Sequence, residues 1–136
     1  MIALDTNVVS ETLRPVPNQR VMAWLIQHVG EVTFTSISVA ELSAGMEVLP
    51  DGRRKAELAR TLEDIFDSYH HVILTFDAPA GRRYGEIVAT RRAEGHPIGT
   101  EDAMIAAICL AEHLPLATRN TRDFSNLGLT LINPWD

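Results

Sequence analysis

Apolar residues fall into short continuous runs and into longer stretches spaced by three and four, and the two kinds alternate along the chain. Met1 to Leu4 is a short run ended by Asp5-Thr6-Asn7, which predicts a buried strand handing over to a helix. Pro15 and Pro17 break that helix, and Asn18 opens a second with Val21, Trp24, Leu25 and Val29 at helical spacing. Glu31 to Ser36, carrying Val32 and Phe34, predicts a second strand. Ser38 with Glu41 three residues on is a capping-box pattern ahead of Leu42, Met46 and Leu49, and Pro50-Asp51-Gly52 stops that helix. Arg53 to Tyr69 sets Leu58, Leu62, Ile65, Phe66 and Tyr69 on one stripe of an amphipathic helix. Val72 to Phe76 predicts a third strand and Pro79 to Glu94 a helix. Gly95, Pro97 and Gly99 mark a loop, after which Thr100 caps an alanine-rich helix running through His113. Leu114 to Thr118 and Leu129 to Ile132 predict a fourth and a fifth strand, separated by a polar turn or short helix at Arg119 to Phe124.

Helices alternating with short apolar strands imply an α/β fold with a mainly parallel sheet covered on both faces. The 136 residues are the length of one domain, and a 46% hydrophobic, 22% charged composition suffices for one packed core without staples. In such sheets ligands bind beyond the carboxyl ends of the strands. Asp5 ends the first predicted strand, Asn120 closely follows the fourth, and Glu41 and Asp102 lie in the first turns of helices. Distant acids can therefore meet at one sheet edge.

Charge and cysteine content narrow the chemistry. The net charge is -6 and the pI about 5.3, which argues against electrostatic coating of nucleic acid. Eleven arginines against one lysine keep a phosphate-bearing substrate open, since the guanidinium fork matches phosphate oxygens. Cys109 stands alone, so there is no internal disulfide or thiolate cluster, and its apolar neighbours suggest a buried side chain. The five histidines form no H-x-x-x-H pattern. No apolar run approaches the roughly 20 residues that span a bilayer, and Met1 to Leu4 is too short for a signal-peptide core. We expect a cytoplasmic protein with no membrane role.

Each acid also has a plain structural explanation. Asp5 before a helix is a good N-cap, worth roughly 1 kcal/mol. Glu41 pairs with Ser38 in the capping box, and Asp102 with Glu101 suits a helix N-terminus. Jointly, several carboxylates at one edge incur repulsion and desolvation that capping does not require, and a cation removes that penalty. Oxygen ligands without His or Cys spacing favour Mg²⁺ or Mn²⁺ over zinc. A phosphoaspartate phosphatase would want an acid at position 7, which is Asn7, and a receiver domain a strand-end lysine, whereas Lys55 opens a surface helix.

Met1-Ile-Ala-Leu-Asp-Thr-Asn-Val-Val-Ser-Glu11, Ser38-Val-Ala-Glu-Leu-Ser-Ala-Gly-Met46, Asp102-Ala-Met-Ile-Ala-Ala107 and Leu116-Ala-Thr-Arg-Asn-Thr-Arg-Asp-Phe124 together resemble the PIN-domain ribonucleases. More narrowly the chain resembles VapC-type toxins of toxin-antitoxin pairs, and Leu13-Arg-Pro15 with Ile132-Asn-Pro-Trp135 is similar to their FitB-like branch. The resemblance runs the whole chain, as a single PIN-like domain over residues 1–136. It implies a three-layer α/β/α sandwich and an acidic pocket for Mg²⁺ or Mn²⁺, with Asp5, Glu41 and Asp102 as catalytic and metal-binding acids. The fourth acidic position is here Asn120, whose amide oxygen coordinates without charge, and Asp123 is the other candidate for that place. Thr6 and Thr118 match hydroxyls that support the acids, or serve as helix caps.

The implied reaction is hydrolysis of RNA phosphodiester bonds, Asp5 and Asp102 anchoring the ion and Glu41 orienting or deprotonating water. Arg119 and Arg122 are the candidate substrate contacts; Arg82, Arg83, Arg91 and Arg92 either extend that track or solvate their helix. The implied partners are a second copy of the chain, in a dimer or higher oligomer, and a cognate antitoxin, with operator DNA reached only through the antitoxin. The competing reading is a non-catalytic dimerising subunit of a repressor assembly on operator DNA. A small-molecule magnesium phosphatase is a third.

Overall fold

A computed structural model describes residues 1–136. Its order is β1 (Ile2–Leu4), α1 (Thr6–Thr12), α2 (Gln19–Gln27), β2 (Val32–Phe34), α3 (Ser36–Glu47), α4 (Arg53–Tyr69), α5 (Ala78–Glu94), α6 (Thr100–Glu112), β3 (Leu116–Ala117), a 3-10 helix (Thr121–Phe124) and β4 (Leu131–Ile132). The four strands are all parallel, in the order β2-β1-β3-β4.

Alternation along the strands builds three layers. Ala3 pairs with Leu116, and both enter a core with Ile87 of α5, the α6 alanines and Phe124. One residue on, Leu4 and Ala117 pair and turn to the opposite core, formed with Val8, Val21, Leu42 and Leu62 of α1 to α4. The expected α/β/α arrangement is therefore present. Phe34, 1% exposed, lies against the rings of Phe66 and Tyr69 at centroid distances of 6.2 and 5.0 Å. Burying such a side chain contributes roughly 1.5–3 kcal/mol. Ala103, Ala106 and Ala107 are wholly enclosed, and their small side chains suit the close packing of α6 against α5.

The expected third strand at Val72 to Phe76 does not form as a strand. Only Leu74 pairs with the sheet: its N–H donates to Phe34 O, and its carbonyl accepts from Ser36 N. The N–H groups of Val72 and Ile73 instead donate to Tyr69 O, closing the end of α4, so they cannot enter a ladder. The capping-box reading of Ser38 is also corrected. α3 starts three residues earlier, with Thr35 as N-cap accepting from Ser38 N at 3.2 Å. Thr100 likewise lies inside α6, whose N-cap is Gly99. Asn18 is a true cap, its side chain accepting from Arg20 N and Val21 N. α2 ends at Gln27, so Val29 falls outside the helix and is 77% exposed. No helix is long and apolar enough to cross a membrane.

Candidate active site

The chain leaves β1 at Asp5 and leaves the adjacent β3 at Thr118, so both residues stand at the carboxyl edge of the two central strands. Backbone bonds fix that edge: Asp5 N donates to Ala117 O at 2.8 Å, and Thr118 N donates to Ile132 O at 2.9 Å. Asp5 is the N-cap of α1, its Oδ1 accepting from Thr6 N at 2.8 Å. Its Oδ2 accepts the Thr118 hydroxyl at 2.7 Å and Asn7 Nδ2 at 3.3 Å. One oxygen of Asp5 thus caps the helix, and the other is held by side chains from the neighbouring strand exit and from α1.

Glu41 is released from capping. Its Oε1 accepts the Thr6 hydroxyl at 2.7 Å, and Thr6 Oγ1 lies 2.7 Å from Ser38 Oγ, whose side chain is fully buried. With Thr6 donating to the carboxylate, Ser38 donates to Thr6, and the two hydroxyls orient one oxygen of Glu41 while its Oε2 makes no bond within the chain. The Thr6 and Thr118 hydroxyls therefore donate to the Glu41 and Asp5 carboxylates, and neither residue is the N-cap of a helix.

Asp5, Glu41, Asp102 and Asn120 line one open pocket of about 380 Å³ with Thr6, Asn7, Ser10, Glu11 and Arg14 and no hydrophobic side chain. Asp123 does not line it, although its charge is felt by Asp5 and Asp102. None of Asp5, Glu41 and Asp102 is salt-bridged. Burial is the main reason the Asp5 carboxyl is pushed above its usual range, opposed by its bonds to Thr118 and Thr6 and reinforced by the charges of Glu41 and Asp123. Asp102 is pushed up to about 6, first by burial and then by the charges of Asp5, Asp123, Glu41 and Glu101.

The sign of these shifts sets a pH dependence. Folded Asp5 and Asp102 hold protons more tightly than the unfolded chain, whose carboxyls titrate near 3.8. The metal-free protein therefore gains stability as pH falls through about 6, and this contribution levels off below about 3.8. We expect a higher melting temperature at about pH 5.5 than at about pH 7.5 without divalent ions, and a smaller difference with Mn²⁺ present, because a cation takes the place of the protons. Equal melts at the two pH values in EDTA would remove the electrostatic account.

The donor set fits a hard divalent cation. It offers carboxylate, amide and hydroxyl oxygens only, with Asp5, Glu41 and Asp102 outside any salt bridge. No three carboxylate, imidazole or thiol groups already converge as a closed ligand set.

Several expected and unexpected residues take defined places around the pocket. Asn7 links both central strand exits, donating to Asp5 and to Thr118 Oγ1 and accepting from Arg119 N at 3.4 Å. Glu11, only 4% exposed, accepts Asn18 N at 2.8 Å and Arg14 Nη1 at 3.4 Å. The Arg119 guanidinium sits over the Trp135 ring, 5.3 Å from its centroid, and neither Arg119 nor Arg122 lines the pocket. Arg91 neither extends a cationic track nor solvates its helix. It is 6% exposed, and its Nη2 donates to Asp123 O at 2.6 Å and Ser125 O at 2.9 Å, tying the 3-10 helix to α5. Cys109 is fully buried, its thiol pushed up to about 12 by burial, and it faces no chemistry.

The arrangement has close relatives. The chain is 42% identical over its whole length to 99% of the plasmid stability protein StbB of Pseudomonas syringae pv. tomato. It is 38% identical, at the same coverage, to the VapC ribonuclease Y4jK of Sinorhizobium fredii. Toxin FitB of Neisseria gonorrhoeae is 41% identical across 99% of each chain. Among solved structures, FitAcB from Neisseria gonorrhoeae superposes with a TM-score of 0.93 at 40% identity, covering 99% of each chain. FitAB bound to an IR36 DNA fragment gives 0.94 at 38% identity over all of this chain and 96% of the other. With the PIN domain model matching residues 2–128 as well, the chain belongs to the PIN domain family.

Proposed function

We propose that this chain is the toxin of a toxin-antitoxin pair, an endoribonuclease that hydrolyses RNA phosphodiester bonds with Mg²⁺ or Mn²⁺, residues 1–136 forming one catalytic unit. The observation that carries the proposal is the pocket in which Asp5, Glu41 and Asp102 meet without a salt bridge, in a chain similar to a protein named a VapC ribonuclease. Asp5 and Asp102 would hold the ion, directly or through water, with Asn120 lending an uncharged oxygen and Asp123 a further negative charge nearby. When bound, such a cation polarises the phosphodiester, lowers the pKa of coordinated water and stabilises charge in the in-line transition state. Glu41, with Oε1 fixed by Thr6, presents Oε2 to orient or deprotonate the attacking water. Thr118 and Asn7 hold the Asp5 carboxylate against rotation. Arg119 and Arg122 lie outside the pocket wall, where they would meet phosphates farther along the strand.

The partners belong to the same proposal: a second copy of the chain and an antitoxin segment, operator DNA being reached through that antitoxin. Supporting this, an apolar groove of about 240 Å³ runs between α2 and α4, walled by Leu25, Ile26, Val29, Ile65 and Tyr69, with Ile26 70% exposed. The structural neighbours include FitAB on DNA. A non-catalytic role in such an assembly is the competing reading, favoured by the neutral Asn120 at the fourth acidic position.

Purified chain, freed of any partner and incubated with a mixed pool of structured RNAs, separates the two. Cuts that require Mg²⁺ or Mn²⁺ and stop in EDTA are expected. Intact RNA after incubation with folded, Mn²⁺-saturated protein would favour the scaffold.

A further inference from the structure

Resting on the nuclease reading, we propose that Arg14 is the substrate-binding residue that receives a backbone phosphate of the RNA at the mouth of the acidic pocket. A polyanion approaching Asp5, Glu11, Glu41 and Asp102 meets four carboxylates, and Arg14 is the single cation on that wall. Arg14 also belongs to the neighbouring groove of about 990 Å³ between α1, α3 and α4, which shares Thr6, Ser10, Arg14 and Glu41 with the pocket. A strand leaving the pocket by this groove passes Arg14 first and Arg54 next.

The side chain is aimed rather than buried. Nη1 alone bonds within the protein, to Glu11 Oε1 at 3.4 Å, and the side chain is 62% exposed, so its other donors are free for phosphate oxygens. Glu11 is itself pinned, its Oε2 accepting Asn18 N at 2.8 Å, which fixes its Oε1 as an anchor for Arg14. Pro15 and Pro17 stiffen the corner that follows. The alternative, that Arg14 serves only to pair the buried Glu11, is weak for a single contact of 3.4 Å made by a mostly exposed guanidinium.

The test measures binding of a fluorescent single-stranded RNA in the Asp5→Asn background and steady-state cleavage in the otherwise native chain. Arg14→Gln, Arg14→Lys and Arg60→Gln are compared, the last removing an equal charge from an exposed position on α4. We expect Arg14→Gln to weaken RNA binding and raise KM by about tenfold to a hundredfold, with unchanged Mn²⁺ affinity and a salt dependence shallower by about one counterion. Arg14→Lys recovers part of the loss, and Arg60→Gln behaves as wild type. RNA bound equally well with and without Arg14 overturns the inference, and so does loss of Mn²⁺ affinity in step with cleavage, which would make Arg14 a support of the acids. Arg14-dependent binding by a wild-type chain that cuts nothing sinks the nuclease reading alone.

Discussion

Asp5→Asn lowers metal-dependent cleavage by about a thousandfold or more while the melting temperature holds or rises. The two effects separate because the side chain has two jobs. Asparagine caps a helix as well as aspartate, so the bond to Thr6 N survives, and removing the charge relieves the burial and repulsion that push the carboxyl upward, offsetting the acceptor that Thr118 and Asn7 lose where Nδ2 replaces Oδ2. What is lost is the anion at the exit of the central strand, where the ion would be anchored, and metal-assisted chemistry depends on that placement. Initial rates with Mn²⁺, set beside thermal melts in EDTA, read both effects. A variant that cuts at the native rate would exclude Asp5 from the chemistry.

Thr118→Val is the second large effect, expected to weaken Mn²⁺ affinity or cleavage by about 10- to 100-fold although Thr118 touches neither ion nor substrate in this scheme. Its hydroxyl donates to Asp5 Oδ2 at 2.7 Å and accepts Asn120 N at 3.0 Å, so one methyl in its place frees the carboxylate to turn and strands a backbone donor. The side chain is fully buried, and the orphaned groups cost about 1–3 kcal/mol of stability. Thr118→Ser keeps the hydroxyl and should restore most of the Mn²⁺ affinity. Isothermal titration of Mn²⁺ into the three proteins decides it: valine and threonine proteins with the same affinity would reduce Thr118 to a core residue.

The layers were legible because periodicity reports burial. Leu58, Leu62, Ile65, Phe66 and Tyr69 repeat at helical spacing and all enter the core on the α4 side, and Ala103, Ala106 and Ala107 of α6 enter the other core. Val72 to Phe76 misled for a physical reason: its β-branched and aromatic residues fit a strand, but the Tyr69 carbonyl claims its first donors. At α3 the run Thr35-Ser-Ile-Ser38 offers three hydroxyls, any of which can cap, and only backbone geometry selects Thr35.

Within the site, Asp5, Glu41 and Asp102 could be read from their positions at predicted junctions, and the structure puts them in one pocket. Arg14 and Glu11 could not, because a Glu and an Arg three apart is the ordinary dress of a helix surface. Arg91 hides similarly: its partners are main-chain carbonyls, which leave no trace in a sequence.

The central place of β1 in the order β2-β1-β3-β4 bears on when activity can arise during synthesis. β1 finds β2 within about thirty residues, but Asp5 waits for Ala117 and Thr118, and for Asp102, before its carboxylate is held and its neighbours assembled. At translation rates of about 5–20 residues per second, that interval is at least several seconds. The acids therefore come together only as the last fifth of the chain leaves the ribosome, so the pocket is among the last features of the molecule to assemble.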